Sequence, residues 1–135
     1  MAPATLALVT VSSYAASLSW DANGNPDGTL FELQKASEGA AFTAHATSTA
    51  ATALVFGLQP STTYDFRVRA LNADGVASAF SGPVSTRTFP VLPAIPGTPA
   101  AVVLSTADIT WSWSAASEAA GYRVVTSGQK TYNGV

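Results

Sequence analysis

Apolar and polar residues alternate with a period of two along much of the chain. Ser17-Leu18-Ser19-Trp20, Phe31-Glu32-Leu33-Gln34 and Tyr64-Asp65-Phe66-Arg67-Val68-Arg69-Ala70 each set apolar side chains on one side and polar or charged ones on the other. That period marks strands with one buried face. No long window repeats apolar positions at helical spacing, so no helix is predicted. Turn-forming clusters separate the runs: Asn23-Gly24-Asn25-Pro26-Asp27-Gly28, Ser37-Glu38-Gly39, Gly57-Leu58-Gln59-Pro60 and Asn72-Ala73-Asp74-Gly75. Seven strands are predicted, at Thr5–Val11, Ala15–Asp21, Thr29–Lys35, Phe42–Ala46, Ala53–Phe56, Thr63–Asn72 and Val84–Thr88. Short strands with frequent turns give an all-β, antiparallel sandwich or barrel.

The pattern breaks after residue 89. Phe89–Pro99 holds four prolines, which supply no ladder donors and favour extended backbone. Residues 90–97 are read as a short, stiff linker. The first pattern then returns: Ile109-Thr110-Trp111-Ser112-Trp113 echoes Ala16-Ser17-Leu18-Ser19-Trp20, and Gly121-Tyr122-Arg123-Val124-Val125 echoes Leu30-Phe31-Glu32-Leu33-Gln34. Trp20 and Trp113 set a repeat of 93 residues. The expected organisation is a complete unit over 1–89, the linker, and over 98–135 the N-terminal half of a second unit.

In order and spacing these residues resemble the fibronectin type III domain, an immunoglobulin-like β-sandwich. The resemblance covers residues 3–89, and 93–135 as a first half. It rests on Trp20 in the second strand, Phe31 and Leu33 in the third, Gly57-Leu58-Gln59-Pro60-Ser61-Thr62-Thr63-Tyr64, Tyr64-x-Phe66-x-Val68-x-Ala70, and Ser81, Pro83 and Thr88. It implies a seven-strand sandwich followed by a partial second one. The implied core is Trp20, Phe31, Leu33, Leu58, Tyr64, Phe66 and Val68, with Trp113, Tyr122 and Val124 in the second unit. Tyr64 is implied to bond the backbone of the Gly57–Pro60 turn through its hydroxyl. The Asn72–Ala79 loop carries no Arg-Gly-Asp, so integrin binding is not implied.

Composition narrows the chemistry. Charged residues are 10% of the chain and the net charge is −2, which leaves no basic excess to neutralise a nucleic acid. Cys is absent and His45 is the single histidine, so thiolate sites, disulfides and His-rich metal centres are excluded. A Ser-His-Asp triad would rest on His45 alone, with no neighbouring acid. Ala, Ser and Thr number 26, 15 and 16, small residues that suit thin sheets and polar loops. No apolar run is long enough for a transmembrane helix, and Met1-Ala-Pro-Ala lacks the basic start of a secretory signal.

Asp21, Asn23, Asn25 and Asp27, with Glu32 further on, have the spacing of an oxygen-ligand calcium loop. Pro26 stands where the sharp turn needs glycine, and the second copy lacks these ligands, so a polar turn is the competing reading. Asp65, Arg67 and Arg69 are expected to form a charge ladder with Glu32 and Lys35 on one outer face. His45 is expected to be an exposed strand residue. No catalytic residue or cofactor is expected.

The expected function is a non-catalytic extracellular or cell-surface module, a spacer, adhesion or fibre-building repeat of a longer secreted protein. Its partner is an unidentified protein or polysaccharide. The alternatives are an accessory module of a secreted polysaccharide-degrading enzyme, or a filament subunit. In the latter, the half unit would expose Ile109, Trp111, Trp113, Tyr122 and Val124 and recruit strands from another chain.

Overall fold

A computed structural model of the chain describes residues 1–125 and, through their backbone, residues 131–134. Two compact units emerge, Met1–Pro90 and Val91–Val135.

The first unit holds seven strands: β1 (Ala4–Val11), β2 (Ala15–Asp21), β3 (Leu30–Ser37), β4 (Thr43–Ser48), β5 (Thr52–Phe56), β6 (Thr63–Leu71) and β7 (Val84–Arg87). They differ from the alternation-based strands by at most two residues at any end. All pair antiparallel, in a three-stranded sheet ordered β1-β2-β5 and a four-stranded sheet ordered β4-β3-β6-β7. The sheets face each other across one core. Ala16, Leu18, Trp20 and Val55 enter it from the first sheet, and Phe31, Leu33, Phe66, Val68 and Ala70 from the second. Along β6 every second residue is buried, so its period of two is burial itself. Trp20 meets Phe31 edge to face, with ring centroids 5.6 Å apart at 66°.

Side chains lock the turn that follows β5. Leu58 fills the end of the core at 1% exposure. The Tyr64 hydroxyl accepts the Gln59 N–H at 2.9 Å. Buried Thr88 donates from Oγ1 to the Gln59 carbonyl at 2.6 Å and accepts the Thr62 N–H at 3.0 Å. Both backbone polar groups of Gln59 are therefore satisfied by side chains, as buried backbone requires. Gly57 precedes this lock at φ +71°, a conformation that costs other residues steric strain.

The register revises two expectations. Lys35 pairs with buried Phe66, which puts it in the inward row of β3 rather than on the outer face with Arg67. It escapes burial at the end of the sandwich, its ammonium 5.8 Å from the Tyr64 ring centroid. On β4 a bulge sets Leu33 against Ala46 and Gln34 against Ala44, so His45 falls between paired positions. There it is half-buried, not exposed.

The second unit contains β8 (Ala100–Val103), β9 (Ile109–Ser112), β10 (Tyr122–Val125) and β11 (Thr131–Gly134). They form two hairpin-like sheets, β8-β9 and β10-β11. No residue of 91–125 is buried. Trp113, Tyr122 and Val124 are half-buried, and so do not form a closed core. Trp111 and Ile109 are about half exposed, at 49% and 56%. The reason is that the described residues of this unit supply no second layer equivalent to β5 and β6. Trp113 still meets Tyr122 edge to face, at 5.6 Å and 65°, repeating the Trp20–Phe31 contact.

Candidate functional site

Three regions of the first unit carry the polar and exposed groups from which a site could be built. The first is the β2–β3 loop, which holds the calcium-type residues. Asp21 Oδ1 accepts the Asn23 N–H at 2.7 Å, a local turn bond that accompanies left-handed backbone at Asn23 (φ +53°). Asn23 and Asn25 donate from Nδ2 to the carbonyls of Ala2 and Met1, each at 2.9 Å. Asn25 Oδ1 accepts from the chain's amino terminus at 2.7 Å. These side chains fasten the N-terminal segment to the loop. Glu32 is not brought to them: it lies on β3, bonded to Arg69. Among the described residues no three Asp, Glu or His side chains gather as a metal site. An open recess of about 600 Å³ lies beside this loop, lined among others by Asp27, Thr29, Leu30, Asn72 and Val76. The Asn72 Oδ1 is taken by the N–H groups of Asp74 and Val76.

The second region is the outer face of β4-β3-β6-β7. Arg69 pairs with Glu32 Oε2 at 2.9 Å. Gln34 Nε2 donates to Glu32 Oε1 at 2.6 Å, and Arg67 donates from Nε and Nη2 to Gln34 Oε1 at 3.0 and 2.7 Å. One hydrogen-bonded chain thus crosses β6 and β3. The Arg67 guanidinium also lies 4.1 Å from the Phe42 ring centroid and 3.8 Å from that of Phe80, with Arg69 4.8 Å from Phe80. These are cation–π distances. Asp65 bonds to the Ser85 hydroxyl instead of joining the ladder. Burial raises the Glu32 pKa, but the bonds from Gln34 and Arg69 and the charges of Arg69 and Arg67 outweigh it, leaving it below its ordinary value. His45 is also held below its ordinary value, by burial first and then by the charge of Lys35.

Phe42 and Phe80 complete this cluster, and sequence periodicity did not point to them. Phe42, the first residue of the predicted strand 42–46, lies just before β4, and Phe80 lies in the segment before β7, outside any predicted strand. Arg67 and Arg69 thus spend donors on Gln34 and Glu32 and lay their guanidinium groups against Phe42 and Phe80.

The third region is the outer face of β1-β2-β5. No residue of these strands is charged except Asp21 at the end of β2. All four Lys and Arg side chains of the first unit (Lys35, Arg67, Arg69, Arg87) lie on the other sheet. Ala15, Ser17 and Ser19 form the middle row, between Thr52, Leu54 and Phe56 of β5 and the residues of β1. A bulge in β1 sets both Val9 and Thr10 near Ser17, and the Thr10 and Ser17 hydroxyls bond at 2.8 Å.

Comparison with known proteins matches this geometry to one family. The model of the fibronectin type III domain matches residues 1–87. Endoglucanase B of Cellulomonas fimi is 35% identical over 117 residues, which cover 82% of this chain. The chain spans 11% of the length of that curated relative. A solved fibronectin type-III domain of human fibronectin type III domain containing protein 3 superposes with a TM-score of 0.59 at 29% identity, covering 67% of this chain and 86% of its own. Domains of titin superpose with a TM-score of 0.58 at 26% identity, covering 65% of this chain and 32% of theirs. The family 28 exopolygalacturonase of Yersinia enterocolitica shares the fold alone, with a TM-score of 0.53 at 20% identity over 67% of this chain and 21% of its own.

Proposed function

Because the chain belongs to the fibronectin type III family, we propose that it is a non-catalytic module of a secreted polysaccharide-degrading enzyme, set between or beside working domains. One observation carries this reading. The similarity to Endoglucanase B covers 82% of the chain, more than the first unit alone supplies, so it runs into the second unit. Similarity to a polysaccharide-degrading enzyme that continues past the first unit favours the accessory role over adhesion. The extracellular setting and the division into 1–89, 90–97 and 98–135 belong to the same proposal. The site geometry supports a non-catalytic role: among the described residues no acid bonds His45, and the Glu32–Arg69 and Asp65–Ser85 pairs are cross-strand bonds on an open sheet face.

The test is the reading frame that encodes the chain, together with an assay for released reducing ends from soluble polysaccharides. A hydrolase domain in the same frame and no release by the purified chain are expected. A frame holding only repeats and a surface anchor, or turnover by the chain itself, overturns the proposal.

The second unit favours a further reading, association between copies. Val103, Ile109 and Trp111 are about half exposed or more, and β9 is paired only with β8 among the described residues. Open apolar strands of this kind recruit other strands. Light scattering over a wide concentration range is expected to show a rising mass, and a constant monomer mass overturns it.

A further inference from the structure

The outer face of β1-β2-β5, where Asp21 is the one charged strand residue, is the feature that the spacer role leaves unused. Its outer side exposes Val9 (60%), Leu54 (54%) and Phe56 (64%), and Tyr14 (55%) stands at its end, next to Ala15, which pairs with Phe56. Between these apolar groups lie the hydroxyls of Thr10, Ser17, Ser19 and Thr52. The centre of the face carries nothing larger than serine, so an extended polymer meets no obstruction there.

We propose that the outer face of β1-β2-β5 binds an uncharged polysaccharide, with Phe56 and Tyr14 as stacking groups. The inference rests on the accessory-module reading for the kind of polymer and assigns that polymer a place. Three properties select it. Pyranose rings present C–H faces that pack on aromatic rings, and hydroxyl rims that exchange hydrogen bonds with Ser and Thr. With Asp21 at one end as its one charged side chain, the face has little means of attracting a charged peptide or a nucleic acid by electrostatic complementarity. The apolar groups are interleaved with hydroxyls, and such a surface suits a partner of mixed character better than a second copy. A dimer of standard size removes about 800 Å² per partner from water, and this face would bury its serine and threonine hydroxyls to do so.

The experiment is affinity electrophoresis of the full chain in gels containing hydroxyethylcellulose, which is uncharged, or carboxymethylcellulose, which has the same backbone with carboxylates. Retardation by hydroxyethylcellulose is expected, with no greater retardation by carboxymethylcellulose. Phe56→Ser and Tyr14→Ser should each weaken it by about tenfold, the loss of one aromatic stacking contact. Arg87→Gln, on the opposite sheet, should leave it unchanged. Because Phe56 and Tyr14 are exposed, both variants should melt near the parent temperature, and Leu54→Ser supplies a second variant on the same face. No retardation by hydroxyethylcellulose overturns the inference, and the accessory role, judged from the reading frame, then stands without it. Stronger binding to carboxymethylcellulose, or a dimer that Phe56→Ser dissolves while retardation is unchanged, also overturns it.

Discussion

Tyr64→Phe deletes one oxygen and leaves the ring in place, so it isolates the bond that closes the turn after β5. The hydroxyl accepts the Gln59 N–H at 2.9 Å, and Tyr64 is 6% exposed. A hydrogen bond of this kind contributes about 0.5–1.5 kcal/mol net, and a donor left without a partner costs about 1–3 kcal/mol when water is excluded. The Gln59 N–H is partly buried, so about 1.5–2 kcal/mol is expected. For a domain the size of the first unit that lowers the melting temperature by about 6–16 °C. Thermal and urea unfolding followed by circular dichroism measure it, and the urea slope should not change, because the surface exposed on unfolding does not. Thr88→Val removes both the bond to the Gln59 carbonyl and the acceptor of the Thr62 N–H at nearly constant volume, and should cost at least as much. Since both side chains hold Gln59, the double variant should cost less than the sum. A Tyr64→Phe variant as stable as the parent would refute the argument that this bond closes the turn. Strict additivity with Thr88→Val would refute the shared lock.

The Arg67 cluster should show coupling of about 0.5–1 kcal/mol between Arg67→Ala and Phe80→Ala in a double-mutant cycle, whereas coupling near zero would make the stack incidental. Arg67→Lys should not restore it, because an ammonium lacks the planar face that lies against both rings. Stability should fall on acidification in two windows. His45 has a folded pKa below the ordinary 6.5, so the unfolded chain takes up its proton first and stability declines as pH drops beneath that value. Glu32 does the same beneath 4.5. His45→Gln should flatten the upper limb and Glu32→Gln the lower, as read from melting temperature against pH, and an unaltered profile would contradict the assignments. Trp20→Ala should cost about 3–5 kcal/mol. Trp20→Phe should cost less than half of that, because it keeps an aromatic contact with Phe31 and removes the buried indole N–H, which has no acceptor among the described residues. Equal costs in chemical unfolding would contradict this.

The strands of the first unit were legible because burial imposes the same period on sequence and structure. β6 is the clearest case: Tyr64, Phe66, Val68 and Ala70 alternate with Asp65, Arg67 and Arg69 over its length. Lys35 was misplaced because its chemistry suggests an outer position while its register gives an inner one. A long side chain at the end of a sandwich can occupy an inward position and still reach water, so polarity fails as a guide there. His45 was misread for a related reason, since a bulge breaks the count of two and no residue in β4 announces it. Phe42 and Phe80 were invisible because their role depends on which strand lies beside them. The calcium-type spacing was real in sequence, but the loop spends its amides on the N-terminal segment, and Glu32 bonds Arg69.

The second unit separates what a local sequence copy can reproduce from what it cannot. Trp113 and Tyr122 recreate the edge contact of Trp20 and Phe31 to within a degree, although neither is buried. In each pair the partners are about ten residues apart, so one connection between neighbouring strands positions them. Burial of Trp20 needs more: β5 must pair with β2, and β6 with β3, to close the two sheets over it. The sequences that do this in the first unit lie at 52–71, far along the chain from the tryptophan. Local geometry therefore follows from the repeated motif, whereas the core follows only from strands of high sequence separation. This dependence makes the apolar strands of the second unit the part of the chain whose state is decided by what else is present. It also explains why the self-contained first unit, with the sparsely charged outer face of β1-β2-β5, is the better place to look for a fixed binding face.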